Sequence, residues 1–223
     1  MRSKGGLGVS VPVVTGILDE TGPVASFAIA ATTAVLRDVL ANGLIRYSSV
    51  TGLGDVNVTV LPPDRVTVGA DEPNQVNLFM YRVSPHSKLR SVSPPGPGVN
   101  NERRKRMLPL DLHYLITAYG AQDFHSEILL GCAVHLLNTT PVLTPDIVRD
   151  ALGRPAGKGH KGAMSPAREA LSVATAHHAE ARLRVSQEFL SFEEMSKLWS
   201  VLQARYRPSV TYEVSAVPMP LEG

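Results

Sequence analysis

The chain has 223 residues, 43% of them hydrophobic, with 22 basic and 20 acidic side chains and a formal net charge of +2. That length suits one domain or two small ones, and one is expected because no linker separates two cores. So small a net charge gives no case for a polyanionic partner, and the single cysteine, Cys132, excludes an intramolecular disulfide and fits folding in a reducing cytoplasm.

Aromatic residues are only 5%, so aliphatic side chains must fill the interior, while 18 glycines and 17 prolines imply several long loops around it. Residues 1–22 are dotted with glycine and show neither helical nor strand period. They are expected to form a flexible arm, or one that orders on a neighbouring subunit. Arg2 and Lys4 are not followed by an apolar run before Pro12, so no secretory signal is expected. From Val24 to Leu40, apolar residues at Phe27, Ala31, Ala34, Val35 and Val39 predict a helix lying on the core, with Thr21 or Ser26 as cap and Asn42-Gly43 as stop. Its apolar start, Val24 to Ala31, is interrupted by Arg37 and Asp38 well short of a ~20-residue membrane span, so a soluble protein is expected.

Gly52-Leu53-Gly54 is a turn signal. Asp55 to Leu61 alternates and predicts a strand cut off by Pro62-Pro63. Val76 to Val83 predicts a second strand, with Val76, Leu78, Met80 and Arg82 on one face and Asn77, Phe79, Tyr81 and Val83 on the other, both covered as in a central strand. Leu108 to Tyr119 predicts a third, with Leu110, Leu112, Tyr114 and Ile116 backed by Asp111, His113, Leu115 and Thr117; Gly120 breaks it. A helix follows over Phe124 to Leu137, striped by Ile128, Leu129, Cys132 and Leu136, with Asp123 and Glu127 near its positive end. Pro141 and Pro145 bracket a turn, and Pro145 starts a short helix to Leu152. Gly153 to Ala163 is a glycine-rich flexible loop, and alanine-rich Ser165 to Arg182 is expected to be helical.

The chain closes with strand, helix, strand. Leu183, Val185, Gln187 and Phe189 suggest the first strand. Ser191 and Glu194 have capping-box spacing, and Met195, Leu198, Trp199 and Leu202 then make one apolar stripe. Pro208 restricts Arg207 to extended geometry, so the helix should stop near Ala204. Val210, Tyr212 and Val214 alternate with Thr211, Glu213 and Ser215 as a half-buried strand.

The residues that could carry chemistry do not form a motif. His177 and His178 are adjacent, so on a helix they diverge, and no cysteine or carboxylate pattern completes a metal site. Asp111 and His113 share a strand face and Ser126 lies downstream, but no G-x-S-x-G elbow supports a serine–histidine–carboxylate set. Two polar residues on a partly exposed sheet face explain them better. Gly157-Lys158-Gly159 and Lys161-Gly162 lack phosphate-loop spacing. Cys132 as a nucleophile would need exposure and a base, and its helical phase predicts burial. No cofactor is expected. The irregular segment Pro85 to Met107, with PPGPG at 94–98 and ERRKR at 102–106, is long enough to be either functional or disordered. Its basic run fits a solvated loop, a docking surface for an acidic protein or, least well, a nucleic-acid contact.

Four stretches in this order resemble one family: VNLFMYRVSPHSKLR (76–90), LPLDLHYLITAYG (108–120), SEILLGCAVHLLNTTPVLT (126–144) and LSFEEMSKLWSVLQARYRPSVTYEVS (190–215). It is the cap, or tail-terminator, family of extracellular contractile injection systems, which are phage-tail-like particles. The resemblance covers roughly residues 24–218. Residues 1–22 make a longer arm than the family's usual one, and the 153–163 loop is richer in glycine.

The resemblance implies a mixed α+β domain over residues 23–218, a central, mostly antiparallel sheet flanked by helices, with an arm at 1–22 and a tail at 219–223. It implies a structural protein, not an enzyme: a ring of copies, expected to be a hexamer, at the baseplate-distal end of the particle. There it would bind the last layers of inner tube and sheath and end their polymerisation. Such a chain is made in the cytoplasm, binds no membrane and travels in a particle that is released from the cell. Partner contacts are expected from the arm, the 85–107 loop and the last strand, with Arg90, Arg103, Arg104, Lys105, Arg106, Arg207, Tyr212 and Glu213 as interface residues. Two rivals stand beside this reading: a nucleic-acid-associated tail-completion or neck protein working through Arg103 to Arg106, and a hydrolase using Asp111 and His113.

Overall fold

The helix expected to stop at Asn42-Gly43 continues through it. In the computed structural model, which describes residues 27–69, 72–86, 107–120, 122–153 and 183–220, α1 (Ala28–Thr51) runs for 24 residues. Asn42 donates to Asp38 Oδ2 at 2.7 Å from within the helix. The stop is Gly52, at φ 72°, whose N–H reaches Ser48 O at 3.2 Å; a left-handed residue there is the ordinary way to satisfy a last carbonyl. At the other end Phe27 stands in the cap position and makes no side-chain cap bond. Thr21 and Ser26 lie outside the described residues, as do the arm, the PPGPG and ERRKR runs, and the segments read as glycine loop (from residue 154) and alanine-rich helix.

Six strands form one sheet in the order β1-β2-β3-β6-β5-β4: β1 (Asn57–Thr59), β2 (Gln75–Pro85), β3 (Met107–Tyr119), β4 (Val142–Leu143), β5 (Leu183–Glu188) and β6 (Ser209–Pro220). Only β1–β2 is parallel; the other four pairings are antiparallel. Mixed α+β with a mostly antiparallel central sheet is therefore the fold. The last strand is not an edge. It lies between β3 and β5, so its Thr211–Val214 backbone is engaged on both sides and offers nothing to an added partner strand. It also continues past Ser215 to Pro220, pairing Met219 with Leu108 and Pro220 with Met107, so the boundary expected at 218 falls inside a strand.

One sheet face carries the main core. Leu78, Leu112, Tyr114, Ile116, Tyr212, Val214 and Val185 pack there with Val35, Leu36, Leu40 and Leu44 of α1 and with α2 (His125–Thr139). The α2 stripe is Leu129, Ala133 and Leu137, while Ile128 is exposed and Cys132 only half-buried. The buried row is thus displaced from the predicted one, following i, i+4, i+8 spacing. Burial raises the Cys132 thiol pKa. By length and composition α1 could cross a membrane, but its Ala31, Val35, Leu36, Leu40 and Leu44 are core residues, which a packed helix of a globular protein also provides. The short helix after Pro145 is α3 (Pro145–Gly153).

The opposite sheet face is covered by α4 (Phe192–Val201). Leu115 packs there with Met195 and Trp199, bordered by Tyr81, Leu198 and Leu202. The capping box forms as expected: Ser191 Oγ accepts from Glu194 N–H at 3.2 Å and Glu194 Oε2 accepts from Ser191 N–H at 2.9 Å. The helix ends at Val201, three residues before the predicted stop, and Gln203 takes φ 52° as the chain turns back.

Candidate interaction surface

Beside α4 three strands meet through polar side chains. The β2–β3 register shifts between Met80 and Arg82. A bulge re-aims the residues after it, so Arg82 leaves the Leu78–Met80 face on which alternation had placed it. It joins Tyr81 at Glu188 of β5: Tyr81 Oη donates to Oε2 at 2.8 Å and Arg82 Nη2 to Oε1 at 3.0 Å. His113 of β3, only 2% exposed, places Nδ1 2.9 Å from Glu188 Oε2 and Nε2 3.0 Å from Ser84 Oγ. Arg82 Nη2 also stands 3.1 and 3.3 Å from the two ring nitrogens. Burial raises the Glu188 carboxyl, but hydrogen bonds from His113 and Tyr81, with the charges beside it, leave the net pKa below the ordinary value. The Tyr81 hydroxyl moves up, first through burial and then through its bond to Glu188.

Ser84, His113 and Glu188 thus hold the order of a serine–histidine–acid string, assembled from residues that sequence spacing did not connect. Its surroundings make it a cross-strand clasp. Glu188 is already engaged by Tyr81 and Arg82, and Ser84 sits within β2 opposite Asp111, not on a strand-to-helix elbow. The set imagined from sequence does not assemble. Asp111 Oδ1 lies 2.7 Å from His86 Nδ1 and accepts from Ala216 N–H at 3.1 Å, holding the residue that carries φ 59° in β6. Ser126 donates to Glu127. Asp111 and His113 are both buried, not on a partly exposed face: His86 lies against Asp111, and Arg82, Ser84 and Glu188 surround His113.

A second clasp closes the other end of the sheet. Arg207 donates to Glu72 Oε1 and Oε2 at 2.8 and 2.6 Å, a bidentate pair. Its guanidinium lies 4.8 Å from the Tyr119 ring centroid, and Gly120 N–H donates to Glu72 Oε1 at 3.1 Å. Beside this clasp is a hollow of about 330 Å³, lined by Val66, Val68, Tyr119, Ala204, Arg205 and Arg207 among others.

The residues proposed from sequence to face partners separate on this frame. Arg207 lies by the hollow. Glu213 is half-buried and accepts from Ser215 Oγ at 2.7 Å. Tyr212 belongs to the core: it is 1% exposed, with its hydroxyl accepting from Asn138 Nδ2 at 3.1 Å. That placement removes its side chain from the surface, for the period that marked β6 as half-buried points Tyr212 inward. Arg90, Arg103, Arg104, Lys105 and Arg106 lie outside the described residues. Sequence reasoning missed the aromatic rim around α4. Phe189 and Phe192 are exposed, and Tyr206 stands edge-on to both Phe192 and Trp199, at 6.4 and 5.9 Å between centroids. The apolar phase of Phe189 had assigned it to a strand.

Comparison with known proteins gives this surface a context. Two cryo-EM structures are similar to the chain. One is the sheath/tube terminator, in the extended state, of PVC, an extracellular contractile injection system (TM-score 0.42, 18% identity, 80% of this chain and 56% of that one). The other is the tube-terminating cap of the anti-feeding prophage (TM-score 0.43, 16% identity, 80% and 55%). The chain therefore spans little more than half the length of these proteins. No curated protein matches it. The Pvc16 N-terminal domain family matches residues 31–222, a span that contains all four stretches of the cap resemblance, and the chain belongs to that family.

Proposed function

We propose that this chain is a structural cap of a contractile injection particle. It sits as a ring of copies, six by family resemblance, at the end away from the baseplate. There it binds the last inner-tube and sheath layers and stops both from growing. The observation that carries this reading is the family match through residues 31–222. The two similar proteins are described as a sheath/tube terminator and a tube-terminating cap. A terminator works by shape, and the polar residues here are spent on joining strands: Glu188, His113 and Ser84 link β5, β3 and β2, and Glu72 and Arg207 tie the start of β6 to the segment before β2. In this reading the cap body spans 23–218 and continues to the end of β6. The arm at 1–22, the 85–107 loop with Arg90, Arg103, Arg104, Lys105 and Arg106, and the surface near Arg207 and Glu213 carry contacts to tube, sheath and neighbouring copies. The particle carries the chain out of the cell.

Gold labelling of a tagged chain on purified particles tests the placement. Label at one end only, opposite the baseplate, is expected. Label along the whole shaft or at the baseplate would reject it.

A further inference from the structure

Among the large hydrophobic side chains of the described residues, Phe189 is the most exposed, at 91%. It stands on the link between β5 and α4, next to Glu188, which turns into the clasp, and close to Ser191, which caps the helix. Both neighbours are tied down, so the ring is held out on a fixed turn. Burying such a side chain is worth about 1.5–3 kcal/mol, a gain the monomer leaves unused.

At the far end of α4 lies the hollow beside Tyr119 and Arg207, walled by Val66, Val68 and Ala204. Its volume of about 330 Å³ exceeds the ~150 Å³ that holds a benzene ring in an apolar cavity, so a benzyl group fits. Phe189 does not line the hollow of its own molecule and stays 91% exposed. Charge has the same polarity. Glu193 and Glu194 lie in the first turn of α4, a few residues after the protruding ring, while Arg205 lines the hollow. Ion pairing cancels Glu193 against Lys197 and Arg207 against Glu72. Glu194, whose carboxylate also accepts from Ser191, carries a negative charge in the turn that follows Phe189, and Arg205 a positive one in the hollow, which Asp64 also lines.

We propose that Phe189 of one copy seats in the hollow of a second copy of this chain, with Glu194 brought towards Arg205. This names the contact behind the ring proposed above, and rests on that reading. Contacts between unlike surfaces propagate head to tail and close when the rotation permits. Phe189, Phe192 and Tyr206, at roughly 150–250 Å² per ring when fully buried and 91%, 79% and 54% exposed here, can supply about half of the ~800 Å² that a stable contact takes from each partner.

Light scattering of the full chain during size-exclusion chromatography tests it, with circular dichroism to confirm folding. The wild type is expected to self-associate. Phe189→Ala, which removes the ring, and Val68→Trp, which fills the hollow, should each weaken association roughly thirtyfold or more and run as monomers. Mixed, they should form a 1:1 dimer and nothing larger, because one keeps the hollow and the other keeps the ring. If Val68→Trp misfolds, Ala204→Trp fills the same hollow. Variants that keep the wild-type mass, or monomeric variants that give no dimer when mixed, would overturn this contact and leave the ring standing. A wild type that is monomeric at every concentration would overturn both.

Discussion

A Cβ built on Gly43 would stand 2.4 Å from Leu136 Cδ2 and 2.5 Å from Cδ1. Gly43 is therefore packed directly against Leu136 of α2. It does not end α1. In an exposed helix Gly→Ala gains up to about 1 kcal/mol. Here overpacking against Leu136, worth about 1–3 kcal/mol, should outweigh that gain, so Gly43→Ala is expected to destabilise by about 1–2 kcal/mol. In a Leu136→Ala background the same substitution should become neutral or stabilising. A double-mutant cycle by urea denaturation reads the change of sign.

Glu188 makes stability depend on pH in a definite direction. Its folded pKa lies below the ordinary value, so the unfolded chain takes up its proton first as pH falls. The contribution is present above the unfolded value of about 4.3 and is lost as pH drops through the folded value. Glu188→Gln should cost about 1–3 kcal/mol at neutral pH, because Arg82, Tyr81 and His113 lose a charged acceptor. The gap between the two proteins should narrow between about pH 5 and pH 3. Thermal melts across that range, followed through the single tryptophan Trp199, give both curves.

Arg207 and Glu72 meet as a fork, which lysine cannot reproduce. Arg207→Lys should lower stability by about 1–2 kcal/mol, and Arg207→Ala by about 2–4 kcal/mol, since it leaves the nearly buried Glu72 carboxylate unpaired. Pairing Arg207→Ala with Glu72→Gln should recover part of the larger loss. Denaturant midpoints for the four proteins decide it.

The capping box at Ser191 offers a local check. Ser191→Ala should cost about 1 kcal/mol and loosen the first turn of α4, where Phe192 borders Tyr206. Amide exchange at Glu194 and Met195 should speed up, with little change in α1.

Much of this fold was legible because local rules governed it. Ser191 and Glu194 announce a cap, the alternation around Leu112 and Tyr114 announces a strand, and Pro145 announces a helix start. The failures have physical causes. Gly43 has the signature of a helix end, and only the approach of Leu136 explains it. β4 is two residues long, too short for a period. The bulge after Met80 changes the phase of β2, so Arg82 was assigned to the wrong face. The site itself was the least legible part. Tyr81, His113 and Glu188 are far apart in sequence and meet only through the strand order, while Tyr212 was placed at an interface although its own period points it into the core. The family, by contrast, was visible in the four stretches, because they carry the core strands and helices that define the domain.

The central claim is that this chain ends the growth of a tubular particle. The direct measurement is the length distribution of tubes and sheaths in particles made without it, imaged by electron microscopy beside the wild type. Overlong, unevenly ended tubes that regain uniform length when the chain is restored are predicted. Particles of unchanged length with intact far ends would contradict the account.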